Sequence, residues 1–153
     1  MPIDPAGRYA LNVTSALLEQ GRIPHLVSVA LTIAAILGVP VLGILAVPHG
    51  VFWQALAIFS IGCGIAELCL AMRIAFDAAL FAQWTAGSLP DLENFDAAML
   101  RLTLMPPGKA GRALETRCAG ALRLLRWQVL ALGGQILVIV AGSLVMAMEG
   151  QDR

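Results

Sequence analysis

The sequence is poor in charged residues, which make up only 13% of its 153 residues, against about 25% in an average soluble protein. Ten acidic and ten basic residues give a formal net charge of zero, which argues against a nucleic-acid-binding surface because such surfaces are basic. Hydrophobic residues make up 59% of the chain. This share excludes a disordered chain and leaves too little polar surface for a small water-soluble domain. The composition predicts an integral membrane protein.

Residues that carry chemistry are also scarce, with three cysteines and two histidines. Cys63 and Cys69 fall on different faces of a predicted helix, and no cysteine or histidine pair has the spacing of a metal site. His25 and His49 lie at opposite ends of one predicted span, so they cannot share a metal ion. No serine–histidine–aspartate set and no HExxH motif can be recognised. We therefore expect neither catalysis nor a cofactor nor a metal site.

Three apolar stretches are long enough to cross a membrane, which takes about 20 residues in a helix. They cover residues 26–47, 51–72 and 129–148. A helix is required because each backbone polar group must be paired inside the hydrocarbon core. Residues 48–50, Pro-His-Gly, predict a tight turn between the first two spans. The expected fold is thus all-α, with three transmembrane helices.

Basic residues are distributed unevenly, and this distribution predicts the orientation. Seven lie between the second and third spans and none lies in the hairpin turn. By the positive-inside rule, the N-terminus and the loop 73–128 are cytoplasmic and the C-terminus is periplasmic. The excess of arginine over lysine and the alanine-rich spans are typical of a GC-rich bacterial genome, so we expect the bacterial inner membrane.

A short amphipathic helix is predicted over residues 5–20, before the first span, with Asp4 as its N-cap. The helical spacing predicts a stripe on one face of this helix: Tyr9, Val13, Ala16, Leu17 and Gln20. We expect this stripe to pack against the rest of the protein, and the alternative is a membrane-surface or partner-binding helix.

A small cytoplasmic cap is predicted from the loop. The second span continues as a helical stalk to about residue 86, a separate helix covers 89–105, and a basic amphipathic helix over 112–127 leads into the third span. We expect the stalk and the 112–127 helix to pack together, with Phe81 near Leu114, and the 89–105 helix to cross their tip. The predicted apolar stripe of the 89–105 helix is Leu92, Phe95, Met99 and Leu102.

The basic helix carries a set of candidate membrane-surface residues. These are Arg112, Arg117, Arg123 and Arg126. One interpretation is that they attract anionic lipid headgroups, each contributing about 1 kcal/mol near the surface. The favoured interpretation is that they only fix the orientation by the positive-inside rule.

Glu67 is the only charged residue inside the three apolar stretches. A carboxylate at the bilayer centre costs about 2.5–3.5 kcal/mol on insertion scales, so it requires a partner. Ser60 and Gly64 share its helix face, and such small residues let a neighbouring helix approach closely. The candidate partners by depth are Arg126 and Gln128, then Arg22 and His25. We favour a structural contact that fixes helix rotation; a protonatable or ion-interacting site is the alternative.

The sequence predicts a non-catalytic subunit or scaffold of a larger membrane complex, with the lipid bilayer and another membrane protein as partners. The alternative is a channel or transporter component made of several copies, because three spans are too few to enclose a pore. In that arrangement Glu67 would line the pore. A membrane enzyme is the least favoured class.

Overall fold

The computed structural model describes residues 4–44, 50–87 and 92–151, and within these residues every regular element is helical. The elements are α1 (Pro5–Glu19), α2 (Arg22–Ile44), α3 (Gly50–Thr85), α4 (Leu92–Arg101), a short 3-10 turn (Pro107–Lys109) and α5 (Leu114–Gln151). The all-α class expected from the sequence is therefore confirmed. Of the predicted hairpin turn, residues 48 and 49 lie outside the described residues.

Three helical segments are long and apolar enough to cross a membrane in the part of the chain that the structure describes. They are Pro5–Pro40, Val51–Thr85 and Leu114–Val145. The helices α3 and α5 have 36 and 38 residues, or about 54 and 57 Å at about 1.5 Å per residue. Both exceed the hydrocarbon thickness of about 30 Å. The predicted continuation of the second span to about residue 86 agrees with the end of α3 at Thr85.

The helix α1 begins as predicted, because the Asp4 carboxylate accepts a hydrogen bond from the Gly7 backbone N–H at 2.8 Å. The predicted apolar stripe of α1 does not pack against the rest of the protein, however. Tyr9 and Val13 are exposed. The buried face consists of Gly7, Leu11, Thr14, Ser15 and Leu18. Leu11 and Leu18 are seven residues apart and satisfy the same helical period as the predicted stripe. The small residues Thr14 and Ser15 lie between them on this face and allow tighter packing.

The described chain forms two compact units, which we call the first unit (residues 1–20 and 73–125) and the second unit (residues 21–72 and 126–153). The first unit contains an apolar core. Its buried apolar residues are Leu11, Leu18, Ile74, Ala78, Phe81, Trp84, Leu114, Cys118 and Ala121. Phe81 and Leu114, expected to lie near each other, are thus both buried in this unit.

The helix α4 joins this core through aromatic contacts. The Phe95 ring lies edge-on to Trp84 with 4.8 Å between centroids, and Trp84 stacks on Phe81 at 5.9 Å. The helix ends at Arg101, before the predicted end at residue 105, and Thr103 has a positive φ of 55° that a right-handed helix does not allow. Of the predicted 89–105 segment, residues 89–91 lie outside the described residues. Leu102, placed on the predicted stripe, is exposed because it follows the end of the helix.

Candidate functional site

The second unit has polar side chains inside and apolar side chains outside. Its buried polar residues are Ser28, Ser60, Glu67, Gln128 and Gln135. Its exposed apolar residues include Leu26, Ile33, Leu37, Ile58, Phe59, Ile65, Leu130, Leu137 and Leu144. A water-soluble protein has the opposite distribution. Polar groups that face the bundle interior and an apolar exterior are typical of a membrane domain.

Glu67 lies at the centre of this polar core and is 0% exposed. Its Oε2 is 3.0 Å from Nδ1 of His25, and its Oε1 accepts a hydrogen bond from Nε2 of Gln128 at 2.7 Å. His25 lies in the first turn of α2, where the helix dipole favours a carboxylate. Both carboxylate oxygens therefore have partners, and a positive helix end lies beside them.

Two of the four candidate partners of Glu67 are brought to it, and two are not. Gln128 and His25 contact the carboxylate, whereas Arg22 and Arg126 are exposed. Arg126 precedes Gln128 by two residues, which is about 200° around a helix at about 100° per residue. The same rotation that points Gln128 inward therefore points Arg126 outward, so its place as a partner of Glu67 is corrected.

Gln128 connects three parts of the second unit. Its Nε2 donates to the Gly21 carbonyl at 2.9 Å as well as to Glu67. Its Oε1 is buried and has no hydrogen-bond partner. One amide thus connects α5 to α3 and to the residue that precedes α2.

A second polar layer lies two helical turns further along α5, around Gln135. The Gln135 Oε1 accepts a hydrogen bond from the Ser28 hydroxyl at 2.6 Å. Its Nε2 donates to the Thr32 hydroxyl at 2.9 Å and to the Ser60 carbonyl at 3.1 Å. Gln135 is not among the candidate site residues predicted from the sequence, although the seven-residue spacing from Gln128 places both amides on one helix face and could have identified it.

Glycines in the second unit lie where helices approach closely. A Cβ at Gly64 would overlap the Thr32 hydroxyl and lie 2.9 Å from Gln135 Nε2. A Cβ at Gly142 would lie 2.9 Å from the Trp53 ring. Gly64 therefore leaves room for the side chains that form the second polar layer. The buried Ser60 contributes its carbonyl to that layer, while its hydroxyl has no partner.

The first unit contains a separate ion pair that the sequence did not reveal. Arg117 Nη2 donates to both oxygens of the buried Asp96, at 2.9 and 2.7 Å, and Asp96 Oδ2 also accepts from the Gly111 backbone N–H at 2.7 Å. No spacing rule connects residues 96 and 117, because they lie on different helices. The guanidinium of Arg117, expected at a membrane surface, is directed at Asp96 instead.

The three other bases of the membrane-surface set are exposed: Arg112, Arg123 and Arg126. Trp127, beside Arg126, is 56% exposed. Whether these residues contact lipid stays a prediction.

Among the residues that the structure describes, no group of three or more histidine, cysteine, aspartate or glutamate side chains is placed to hold a metal ion. No protein-family model matches the chain, and comparison with curated proteins and with solved structures gives no match.

Proposed function

We propose that the protein is a multi-pass protein of the bacterial inner membrane that serves as a non-catalytic subunit or scaffold of a larger membrane complex. The observation that supports this proposal is the distribution of side chains in the second unit. Its polar groups bond mainly to one another, and its outer surface is apolar. Such a unit has an outer surface suited to lipid and to other membrane helices.

The proposed membrane placement follows the three apolar stretches, 26–47, 51–72 and 129–148. The surplus of bases in 73–128 puts that segment and the N-terminus in the cytoplasm, and the C-terminus in the periplasm. Arg126 and Trp127, both exposed, then lie at the cytoplasmic boundary, where such residues are enriched.

The scaffold role is supported by the way in which the polar core is used. Gln128 and Gln135 each bond to residues from two other parts of the second unit. Hydrogen bonds of this kind fix the rotation and register of helices in a membrane. Together with the contacts of Glu67, these hydrogen bonds give the second unit a defined outer shape. A partner protein would recognise that shape.

The alternative, a pore made of several copies with Glu67 in its lining, is less well supported. A pore between copies is lined by residues that each copy exposes. Glu67 is 0% exposed within its own chain and is bonded to His25 and Gln128. A pore would therefore have to use other residues, and the exposed surface of the second unit is largely apolar.

The native mass of the protein, extracted gently from its own membrane, tests the proposal. We expect a stable complex with a different and larger membrane protein, identified by mass spectrometry of the co-purifying chains. A homo-oligomer without other chains, which conducts ions in vesicles, would contradict the scaffold role and support the pore.

A further inference from the structure

The segment that joins α4 to α5 exposes apolar and basic side chains together. We call residues 101–112 the basic loop. Leu102 and Leu104 are 64% and 62% exposed. The bases of the loop are all exposed: Arg101, Lys109 and Arg112. No acidic residue occurs between residues 97 and 114, and none of these bases forms an ion pair with another described residue. The loop therefore carries uncompensated positive charge beside two leucine side chains.

The backbone at the end of α4 holds the two leucines in a defined position. The Thr103 N–H donates to the Leu100 carbonyl and the Leu104 N–H to the Met99 carbonyl, both at 3.0 Å. This pair of hydrogen bonds is the Schellman motif, in which the residue with positive φ is usually glycine. Thr103 takes that position at a φ of 55°, which costs free energy for a β-branched residue. The residue after it usually packs back onto the helix, whereas Leu104 is left exposed.

A buried ion pair fixes the other end of the loop. Asp96 Oδ2 accepts hydrogen bonds from Arg117 Nη2 and from the Gly111 backbone N–H, both at 2.7 Å. Arg117 Nε donates to the Arg112 carbonyl at 3.0 Å. The two prolines at 106–107 further restrict the backbone between the two ends. A loop that is ordered before a partner arrives loses less conformational entropy when it binds.

We propose that the basic loop is a docking surface for an acidic segment of the partner protein, with Leu102 and Leu104 contacting apolar side chains of that segment. Complementary charge is the reason for this choice of occupant. A second copy of the chain would place the same bases against one another, and like charges repel. This docking surface rests on the scaffold role and adds to it the chemistry of the partner.

Anionic lipid would also attract the bases, but it is the less favoured occupant. Val129, where the third apolar stretch starts, follows Leu114 by 15 residues of α5, which is about 22 Å along the helix. Attraction between exposed charges is screened beyond about 8 Å at physiological ionic strength.

Photo-crosslinking in the cells that make the protein tests the docking surface. Leu104 of the full chain is replaced by benzoylphenylalanine, the cells are irradiated, and the crosslinked peptide is identified by mass spectrometry. We expect a peptide of a different protein in which acidic residues outnumber basic ones. The matched control is the same replacement at Tyr9, which is 73% exposed in the same unit but outside the loop. We expect its crosslinking yield to be at least tenfold lower.

Charge reversal tests the role of the bases. The triple variant Arg101→Glu, Lys109→Glu and Arg112→Glu is expected to lower the yield at Leu104 at least tenfold. The control variant Arg8→Glu and Arg123→Glu changes exposed bases of the same unit outside the loop, so it is expected to keep the yield. An unchanged melting temperature shows that a variant is still folded. Irradiation of isolated membranes in high salt needs no substitution of the bases, and the yield at Leu104 is expected to fall there as well.

Three results would overturn the docking surface. They are a Leu104 crosslink to lipid, to a second copy or to a segment without an excess of acids; a yield that neither charge reversal nor salt changes; and equal yields at Leu104 and Tyr9. The native mass separates this failure from that of the scaffold role. A partner that co-purifies without a crosslink at Leu104 leaves the scaffold role standing and places the contact elsewhere, whereas the absence of any partner refutes both.

Discussion

Replacing Gln135 by leucine is the sharpest perturbation of the polar core, because the side chain keeps a similar size and loses every hydrogen bond. Three bonds are lost: one from the Ser28 hydroxyl, one to the Thr32 hydroxyl and one to the Ser60 carbonyl. Interhelical hydrogen bonds in membrane proteins contribute about 0.6 kcal/mol each on average and at most about 1.7 kcal/mol. We therefore expect Gln135→Leu to lower the free energy of unfolding by about 2 kcal/mol.

The assay is equilibrium unfolding in mixed micelles of a mild detergent and SDS, followed by tryptophan fluorescence. Gln54→Leu is the matched control, because Gln54 is exposed on α3 of the same unit. We expect that substitution to change the free energy of unfolding by less than about 0.5 kcal/mol. The reasoning is refuted if Gln135→Leu is no more destabilising than Gln54→Leu, since the buried amide would then contribute nothing to helix packing.

Three further predictions concern glycine, the buried ion pair and the orientation. Gly64→Val is expected to lower the free energy of unfolding by about 1–3 kcal/mol through overpacking. Gly62→Val is expected to be near neutral, because a Cβ at Gly62 has no atom within 4 Å. Equal losses of stability in the two variants would contradict this reasoning. Arg117→Met leaves a buried aspartate unpaired and is expected to cost about 3 kcal/mol, against little for the exposed Arg123→Met in the same unfolding assay. Alkaline phosphatase is expected to be active when fused to the C-terminus and inactive when fused within the 73–128 loop; the reverse pattern would invert the orientation.

The helical elements could be predicted from the sequence because their signals are local. An uninterrupted apolar stretch predicts a spanning helix whatever lies beside it, and the Asp4–Pro5 pair marks the start of α1. The buried face of α1 could not be predicted in the same way. Two faces of that helix satisfy the same period, and only the neighbouring helices decide that Leu11 is buried and Tyr9 is exposed.

The candidate site was predicted only in part for a related reason. Glu67 was conspicuous because a charge inside an apolar stretch is rare, and depth along the chain brought Gln128 and His25 into consideration. The depth of a residue in the span does not say which face of the helix it lies on, so Arg126 was as good a candidate partner of Glu67 as Gln128. Gln135 carries no charge and was not conspicuous, and the Asp96–Arg117 pair joins two helices by contacts that no sequence spacing encodes.

Spin labels along α5 test the central claim that the second unit is embedded in lipid with its polar groups inside. Single labels are placed in turn at residues 128–144, and collisions with oxygen and with a water-soluble nickel complex are measured in lipid bilayers. We predict oxygen maxima at Leu130, Leu137 and Leu144, minima at Gln128 and Gln135, and little collision with nickel along the segment, because the first set is exposed and the second buried. Strong collision of the nickel complex with labels at Leu130 and Leu137 would place this apolar surface in water and contradict the account.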